Sequence, residues 1–288
     1  MYPKNGGHRG RMAITVSSIF YHPVKSVKSK PLTRAEIGVR GIPYDREWMV
    51  VDERGMFVAQ RQSSDAGVEV RTMCLVDAAM RDGHLVLTAP GLSSISVPLD
   101  GPDTPEDEVQ VWEHHARGVD QGEEVSRWLS ELLGRERPGK YRLMRMSSQH
   151  VRRAKMGDSQ LAFADGYPFL IISQASLDDL NRRLSEALPM NRFRPNIVLE
   201  GCSPYQEDQM ALIRVGNVLL EGQGLCARCP TTATNQETAE RGKEPLRTLA
   251  TYRRHPGGAD GVVFGRNFNH LNLGTISIGD SVEILATD

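Results

Sequence analysis

Residues 84–99 read His84-Leu-Val-Leu-Thr-Ala-Pro-Gly-Leu-Ser-Ser-Ile-Ser-Val-Pro-Leu99, and this stretch decides the fold class. Apolar side chains alternate with others on both sides of a Pro-Gly pair, which is the pattern of two short strands joined by a turn. Similar runs separated by Gly, Pro or Asp predict further strands at Ala13–Tyr21, Glu47–Asp52, Met56–Arg61 and Glu108–Glu113. Many short strands with turns between them predict a mostly β chain of the α+β class, built as a barrel or a sandwich.

Two helices interrupt the predicted strands. The first is expected over Glu123–Leu133, where Val125, Trp128, Leu129, Leu132 and Leu133 recur at helical spacing. Asp120 and Glu123 form a candidate capping box, and Gly134 is a candidate stop. The second is expected over Ser176–Ala187, with Leu177, Leu180 and Leu184 facing the core.

The first helix is the natural point at which the chain leaves its first β unit. Further strands are predicted at Tyr141–Met146, Phe169–Ile172, Asn196–Glu200, Met210–Glu221 and Thr275–Leu285. The sequence therefore predicts a leader over residues 1–11, a first domain over residues 12–133 and a second over residues 134–288.

Composition narrows the class of protein. The 288 residues are 39% hydrophobic and 25% charged, with a formal net charge of −1, as in soluble globular proteins. No apolar run approaches the ~20 residues of a membrane span, and the net charge offers no general attraction for nucleic acid. Met1–Arg11 is basic and rich in glycine, without the apolar core of a secretory signal. Four cysteines without framework spacing favour a reducing compartment. We expect a cytoplasmic protein with a small-molecule ligand, no membrane span and no nucleic-acid partner.

The likeliest site of chemistry is Leu225-Cys-Ala-Arg-Cys-Pro-Thr-Thr232, which holds half of the cysteines. A permanent charge on Arg228 would favour a thiolate beside it, and Pro230 favours an extended backbone at Cys229. A structural zinc site would need four ligands, and a thioredoxin-type dithiol would open a helix. Both alternatives are weaker, because Cys74 and Cys202 are isolated and a turn-prone, β-branched run follows the pair.

Cationic and polar residues lie where predicted strands start or stop. They are Lys25 and Ser26 after the first strand, Arg46 at the opening of a strand, and Arg192, Arg194 and Asn196 around Pro195. Pro195 favours an extended Arg194, so strand alternation would put the last three on one face, where they suit an anion. Arginines and a lysine suit a phosphorylated cofactor, and a thiolate suits a soft or high-valent metal. Nicotinamide, nucleoside triphosphate and metalloprotease motifs are missing from the sequence.

Six ordered motifs carry a resemblance to a known family. They are His-Pro-Val-Lys-Ser at 22–26, Asp-Arg-Glu-Trp at 45–48, Phe-Ala-Asp-Gly-Tyr-Pro-Phe-Leu-Ile at 163–171, Phe-Arg-Pro-Asn-Ile-Val at 193–198, Cys-Ala-Arg-Cys at 226–229 and Glu-Pro-Leu-Arg-Thr-Leu at 244–249. The chain resembles the MOSC family of molybdenum-cofactor proteins from about Ile14 to Leu285. It is similar to the branch with an N-terminal MOSC β-barrel domain, which includes the mitochondrial amidoxime-reducing component and bacterial reductases of N-hydroxylated bases.

This resemblance implies a pyranopterin molybdenum cofactor with Cys229 as the protein ligand of the metal and Cys226 unbound. It implies further cofactor-binding positions at Lys25, Ser26, Arg46, Arg194, Asn196 and Arg228, with Arg192 and Asp165 as weaker candidates. The sequence departs from the family pattern at residues 234–239, where Thr-Asn-Gln-Glu-Thr-Ala replaces Val-Asp-Pro-x-Thr-Gly. Asn235 thus lacks a carboxylate, and Ala239 stands where glycine is usual.

The activity implied by the resemblance is reduction of N-hydroxylated compounds, such as amidoximes, hydroxylamines or N-hydroxylated bases, to amines or amidines and water. The four cysteines are not clustered as an iron–sulfur site requires, so a separate flavin or iron–sulfur reductase is expected to supply electrons. The alternatives are a sulfur carrier that uses a cysteine persulfide and a protein that binds or delivers the molybdenum cofactor.

Overall fold

The computed structural model describes residues 13–61, 67–101, 103–254 and 261–288. The predicted leader over residues 1–11 lies outside these residues. The strands are β1 (Thr15–Tyr21), β2 (Lys30–Leu32), β3 (Arg34–Ile37), β4 (Trp48–Asp52), β5 (Val58–Ala59), β6 (Val68–Glu69), β7 (Asp77–Arg81), β8 (His84–Thr88), β9 (Ile95–Pro98), β10 (Glu106–Val111), β11 (His114–Asp120), β12 (Tyr141–Met146), β13 (Arg152–Arg153), β14 (Gln160–Leu161), β15 (Phe169–Ser173), β16 (Ile197–Glu200), β17 (Met210–Val215), β18 (Val218–Arg228), β19 (Val262–His270), β20 (Gly274–Ser277) and β21 (Val282–Thr287). The α-helices are α1 (Glu123–Gly134), α2 (Gln174–Asn181) and α3 (Leu246–Leu249).

The largest sheet has eight strands in the order β2-β1-β16-β15-β19-β18-β17-β21. It curls, because β1 also bonds the turn that leads into β21: Val16 N–H donates to Asp280 O at 3.0 Å, and Val282 N–H donates to Ile14 O at 2.8 Å. Apolar side chains on one face form a core that includes Val16, Ile171 and Phe268, and others, including Ile172 and Phe264, pack in a separate core with α2. The first strand of the described residues is therefore built into a sheet that consists mainly of late strands.

A second β region surrounds α1. The sheets β10-β11-β12-β4 and β7-β8-β9 lie there, and the apolar face of α1 shares a core with Trp48, Leu85 and Leu143. Sheet pairing crosses the predicted domain boundary at residues 133 and 134, since β12 pairs with β4 and β1 pairs with β16. That boundary stays a prediction.

Most predicted strands are present, two of them contain turns that the prediction missed, and some observed strands, such as β11 and β19, were not predicted. Predicted strand Met210–Glu221 is a hairpin of β17 and β18 that turns at Gly216, where φ is +56°. Predicted strand Thr275–Leu285 divides into β20 and β21, with Gly279 at φ +88° between them. Positive φ is the region that glycine enters at little cost. Strand β19 has no counterpart in the prediction, because Gly265 and its polar residues obscure the alternation.

The two predicted helices differ from expectation at their ends. Helix α1 buries its apolar residues as predicted, but the capping box is wrong, since Gly122 is the N-cap and donates its N–H to Asp120 Oδ1 at 2.9 Å. Helix α2 starts at Gln174, capped by Ser173, and stops at Asn181 rather than at Ala187. The Asn181 side chain bonds both backbone groups of Leu188, at 2.9 and 3.1 Å, and so holds the chain in a turn after the helix.

Candidate active site

A cleft opens where the loops after β1 and β18 meet those before β4, β15 and β16. It spans about 950 Å³ when its solvent-open mouth is included. The predicted site residues that line it are Lys25, Ser26, Arg46, Asp165, Arg194, Asn196, Arg228 and Cys229. Residues from five of the six motifs are thus brought together in one cavity, and the motif at 244–249 lies outside its lining.

An ion pair between Lys25 and Asp165 lies in the cleft wall. The Lys25 ammonium also donates to Phe163 O at 2.9 Å, and the Trp112 indole donates to Asp165 Oδ1 at 2.7 Å. Burial lowers the pKa of Lys25, and Asp165 opposes that shift. Burial would raise the pKa of Asp165, but the charge and hydrogen bond of Lys25 outweigh it and hold the pKa well below its usual value. The side chain of Asp165 is nonetheless 67% exposed towards the cleft opening, whereas that of Lys25 is 7% exposed.

A polar network fixes Arg46 from behind. The Arg46 guanidinium is paired with Asp45 and donates to Asn196 Oδ1 at 3.1 Å. The Asn196 amide also donates to Asp45 Oδ2 at 3.2 Å and accepts from Leu170 N–H at 3.2 Å. Asn196 is buried, so its role in this arrangement is to orient Arg46. Sequence reasoning expected Arg46 to open a strand, but its φ of +52° places it in a turn before β4.

A buried histidine lies behind the two arginines. His22 Nε2 is 3.4 Å from Pro195 O, and because a carbonyl only accepts, Nε2 carries the proton. Burial, followed by the charges of Arg46 and Arg194, lowers the pKa of His22 well below its usual value, so the ring is neutral. A neutral ring adds no charge to the cationic wall.

Arg194 does not adopt the extended backbone that Pro195 was expected to impose. Its φ is +56°, and Arg192 lies in the 3₁₀ turn Met190–Arg192, so the predicted three-residue face is wrong. Tertiary contacts override the local preference, since Phe193 is fully buried against Phe264 and the Arg194 guanidinium donates to Val27 O. Arg194 still reaches the cleft, where burial and then Arg46 lower its pKa to about 10.

The two cysteines of the motif occupy different settings in the same cleft. Arg228 Nη1 donates to Cys226 Sγ at 3.0 Å, and Nη2 donates to Phe193 O at 2.6 Å. Arg228 Nε is buried without a hydrogen-bond partner among the residues that the structure describes. Cys229 has the expected extended backbone, φ −114° and ψ 172°, directly before the 3₁₀ turn Pro230–Ala233. The guanidinium therefore contacts the sulfur of Cys226, and Cys229 stands at the start of a rigid turn.

Arg192 lies behind the cysteine turn, outside the cleft lining. It is buried, and its Nε donates to Thr232 O at 2.8 Å. Thr232 in turn donates to Cys229 O through Oγ1 at 2.9 Å and through N at 3.1 Å. Arg192 thus braces the backbone that carries Cys229.

Other cleft residues were missed by sequence reasoning. Trp112 sits in the turn between β10 and β11, where the Arg61 guanidinium lies 4.1 Å from its ring centroid. Tyr167 and Asn267 also line the cleft, and burial raises the pKa of Tyr167, which keeps its phenol protonated. Tyr167 stands inside a motif quoted above and could have been found there. Trp112 and Asn267 carried no sequence signal, because only tertiary packing brings their strands to the cleft.

Two known protein families match successive parts of this chain. Residues 13–136 match the family described as the MOSC N-terminal beta barrel domain, and residues 158–283 match the MOSC domain. The chain belongs to the MOSC family. The predicted family and the mostly β fold with a MOSC N-terminal barrel are confirmed.

Relatives of this MOSC protein cover most of its length. Mitochondrial amidoxime-reducing component 1 is 32% identical over 290 residues in Mus musculus, 94% of this chain and 82% of the relative. In Homo sapiens it is 32% identical over 290 residues, 94% of this chain and 83% of the relative. Molybdenum cofactor sulfurase of Danio rerio is 30% identical over 269 residues, which are 86% of this chain and 31% of that protein. The crystal structure of the YUAD protein from Bacillus subtilis has a TM-score of 0.38 at 12% identity, over 95% of this chain and 96% of that one.

The segment in which this MOSC protein departs from the family pattern keeps a closed turn. Asn235 Oδ1 accepts Glu237 N–H at 2.9 Å, as a carboxylate would, and Asn235 O accepts Ala239 N–H at 2.9 Å. Ala239 has a φ of +61°, so the position still demands the conformation that glycine adopts most easily.

Two further findings concern the described residues alone. Across residues 13–61, 67–101, 103–254 and 261–288, no group of three or more His, Cys, Asp or Glu side chains is arranged to hold a metal ion. Within the same ranges, the helices are too short or too polar to cross a bilayer. The cytoplasmic location stays a prediction.

Proposed function

We propose that this MOSC protein is a molybdenum-cofactor-dependent reductase of N-hydroxylated compounds. The observation that carries the proposal is the convergence of the Cys229 thiol with the Lys25 ammonium and with guanidinium groups that include those of Arg46, Arg194 and Arg228 in a single open cleft. Its relatives named amidoxime-reducing components support this class of reaction. The substrate class would be amidoximes, hydroxylamines and N-hydroxylated bases.

The residues of the cleft fit such a cofactor. A molybdopterin carries an anionic phosphate and binds its metal through sulfur, so it needs cationic hydrogen-bond donors and one soft protein ligand. Lys25, Arg46 and Arg194 supply the charge. The unpartnered buried Nε of Arg228 is a donor that lacks an acceptor among the described residues, and a buried polar group of this kind is normally satisfied by a ligand or water.

Each residue then has a defined task. Lys25, Ser26, Arg46, Arg194 and Arg228 would hold the cofactor, Asn196 would keep Arg46 aimed at it, and Cys229 would bind the metal. Asp165 is engaged by Lys25 and Trp112, so it would fix the Lys25 ammonium rather than bind phosphate itself. Arg192 would hold the Cys229 turn through Thr232. When bound, the cofactor supplies the two-electron chemistry by which an N-hydroxy compound and two protons become an amine or amidine and water.

Electrons would come from a separate flavin or iron–sulfur reductase. Cys74, Cys202, Cys226 and Cys229 are not spaced as an iron–sulfur cluster requires, and the sequence has no dinucleotide fingerprint. A second candidate function, a sulfur carrier that uses a persulfide, is favoured by the similarity to a molybdenum cofactor sulfurase. Cofactor binding or delivery without turnover is a weaker variant of the first proposal.

The test is metal analysis and turnover of protein made in a host that synthesises molybdopterin. We expect stoichiometric molybdenum, reduction of benzamidoxime with a strong artificial reductant, and no turnover with NADH until a reductase system is added. A persulfide without molybdenum would favour the carrier, and full molybdenum without turnover would favour delivery. NADH-dependent turnover by the isolated protein, with contaminating reductases excluded, would contradict the proposed division of labour.

A further inference from the structure

The segment that follows Cys229 is joined to the first β region by a pair of buried amides. Gln60 Nε2 donates to Gln236 Oε1 at 3.1 Å, and Gln236 Nε2 donates to Gln60 Oε1 at 2.8 Å. The two side chains are 1% and 4% exposed. Gln236 lies in the segment that departs from the family pattern, and neither glutamine was singled out by the sequence or lines the cleft.

Each glutamine also bonds the backbone of one wall of the cleft. Gln60 Nε2 donates to Ser26 O at 2.7 Å, and Ser26 stands beside Lys25 in a turn with φ +71°. Gln236 Nε2 donates to Thr234 O at 3.1 Å, at the end of the turn that starts at Cys229. The pair therefore links the wall that holds the ammonium to the wall that holds the thiol.

Arg241 reinforces the same junction. Its guanidinium donates to Gln60 O and to Thr234 Oγ1, and it forms an ion pair with Glu69 at 2.8 Å. Beneath the segment, the buried thiol of Cys74 donates to Asn235 O at 3.5 Å. The whole segment is seated on the first β region through polar contacts, which are satisfied only while the two parts are in register.

We propose that Gln60 and Gln236 are positioning residues that lock the Cys229 segment onto the Lys25–Ser26 wall. The lock sets the separation between the Cys229 thiol and the cationic groups before a cofactor binds. Cofactor binding therefore does not have to offset the entropy cost of ordering these two walls. The inference rests on the proposed function only for the identity of the ligand. The lock itself is a property of the protein without cofactor.

Because each glutamine both donates to and accepts from the other, single and double substitutions should have different effects. Replacing one glutamine by methionine, which has similar length and no amide, leaves the other amide buried without its partner. Replacing both removes the two groups together, so the effects of the single changes are not additive. Gln60→Met, Gln236→Met and the double variant therefore form a double-mutant cycle. Tyr141→Phe is the control, because it deletes a hydrogen bond of another buried side chain, Tyr141 Oη to Arg137 O at 2.7 Å, in the first β region and away from the Cys229 segment.

The rate at which Cys74 is alkylated in the cofactor-free protein measures how often the Cys229 segment opens away from the first β region. Cys74 is 0% exposed, and burial raises the pKa of its thiol to about 11, so it reacts only when the segment opens. With iodoacetamide and peptide mass spectrometry, each single variant should label Cys74 about tenfold faster than the wild type. The double variant should label no faster than the singles, and Tyr141→Phe should match the wild type. Equal labelling of Cys74 in all variants, or a rate in the double variant equal to the product of the two single effects, would overturn the lock.

Cofactor content separates this inference from the proposed function. Under limiting molybdopterin, Gln60→Met and Gln236→Met should each retain about tenfold less molybdopterin than Tyr141→Phe. The melting temperatures of these three variants should remain similar. Wild-type protein without molybdopterin would refute the proposed function and leave the labelling result to decide the lock. Singles that label faster yet keep full molybdopterin content would show that the lock does not position the cofactor site.

Discussion

Replacing Asp165 with asparagine should lower the free energy of unfolding of the cofactor-free protein, because it removes the ion pair between Asp165 and Lys25. The Lys25 ammonium is buried, and the substitution leaves it with Phe163 O and the face of the Phe57 ring, 5.4 Å from the centroid. Hydrogen bonds to charged groups contribute about 1.5–3 kcal/mol when buried, and exposed pairs about 0–1 kcal/mol. Since Asp165 is 67% exposed and Lys25 7%, we expect a loss of about 1–2 kcal/mol in unfolding free energy between these limits.

The pH dependence of this loss has a definite sign. Lys25 and the hydrogen bonds at Asp165 lower its folded pKa below the value of about 3.9 in unfolded chains. The unfolded state therefore takes up the proton first as pH falls. The wild-type advantage over Asp165→Asn should be fully present above about pH 5 and should shrink as pH falls below about 4 towards the folded pKa.

Urea denaturation of the wild type and Asp165→Asn at pH 7, 5 and 4 measures the effect. Thermal melts at pH 7 should show a fall of about 2–5 °C. Asp158→Asn is the control, because Asp158 is fully exposed and 3.5 Å from Arg153, and no measurable change is expected. Equal stability of Asp165→Asn and the wild type at pH 7, or a difference that grows as pH falls, would refute the assignment of a stabilising ion pair in the cleft wall.

Three further predictions concern the cysteines, the cationic wall and the departing turn. Cys229→Ser should abolish reduction of benzamidoxime and weaken metal retention. Cys226→Ser should keep substantial activity, because a hydroxyl still accepts a hydrogen bond from Arg228. Equal losses of activity in both variants, with zinc released from each, would revive a structural metal site. Arg194→Ala should lower molybdopterin occupancy by about 10–100-fold at limiting cofactor, more than it lowers stability, and unchanged occupancy would make Arg194 a structural charge. Ala239→Gly should raise the free energy of unfolding, measured in urea, by about 0.5–1 kcal/mol. The change relieves about 1–2 kcal/mol of strain at the positive φ of residue 239, and the greater freedom of glycine in the unfolded chain offsets about 0.5–1 kcal/mol of that gain. A less stable variant would contradict this prediction.

Local patterns predicted local structure well. The alternation at residues 84–99 became the hairpin of β8 and β9, and the helical spacing over Glu123–Leu133 became α1. Motif matches found most of the cleft, since the motif residues that line it stand at strand ends or in the loops beside them. The failures were also local: the chain reverses at Gly216-Asn217 and at Gly279-Asp280, and these turn dipeptides were included in longer predicted strands.

Sequence by itself determined the mostly β class, the family, Cys229 with its extended backbone, and the cationic residues that would face it, because alternation, proline geometry and motif order are properties of neighbouring residues. Tertiary structure alone decided that β1 joins the late strands, that Arg192 braces the cysteine turn and that Trp112 orients Asp165. It also decided the pairing of Gln60 with Gln236, which are 176 residues apart. Such contacts depend on how whole sheets pack against each other, and a buried amide selects its partner only after that packing has brought the two segments together.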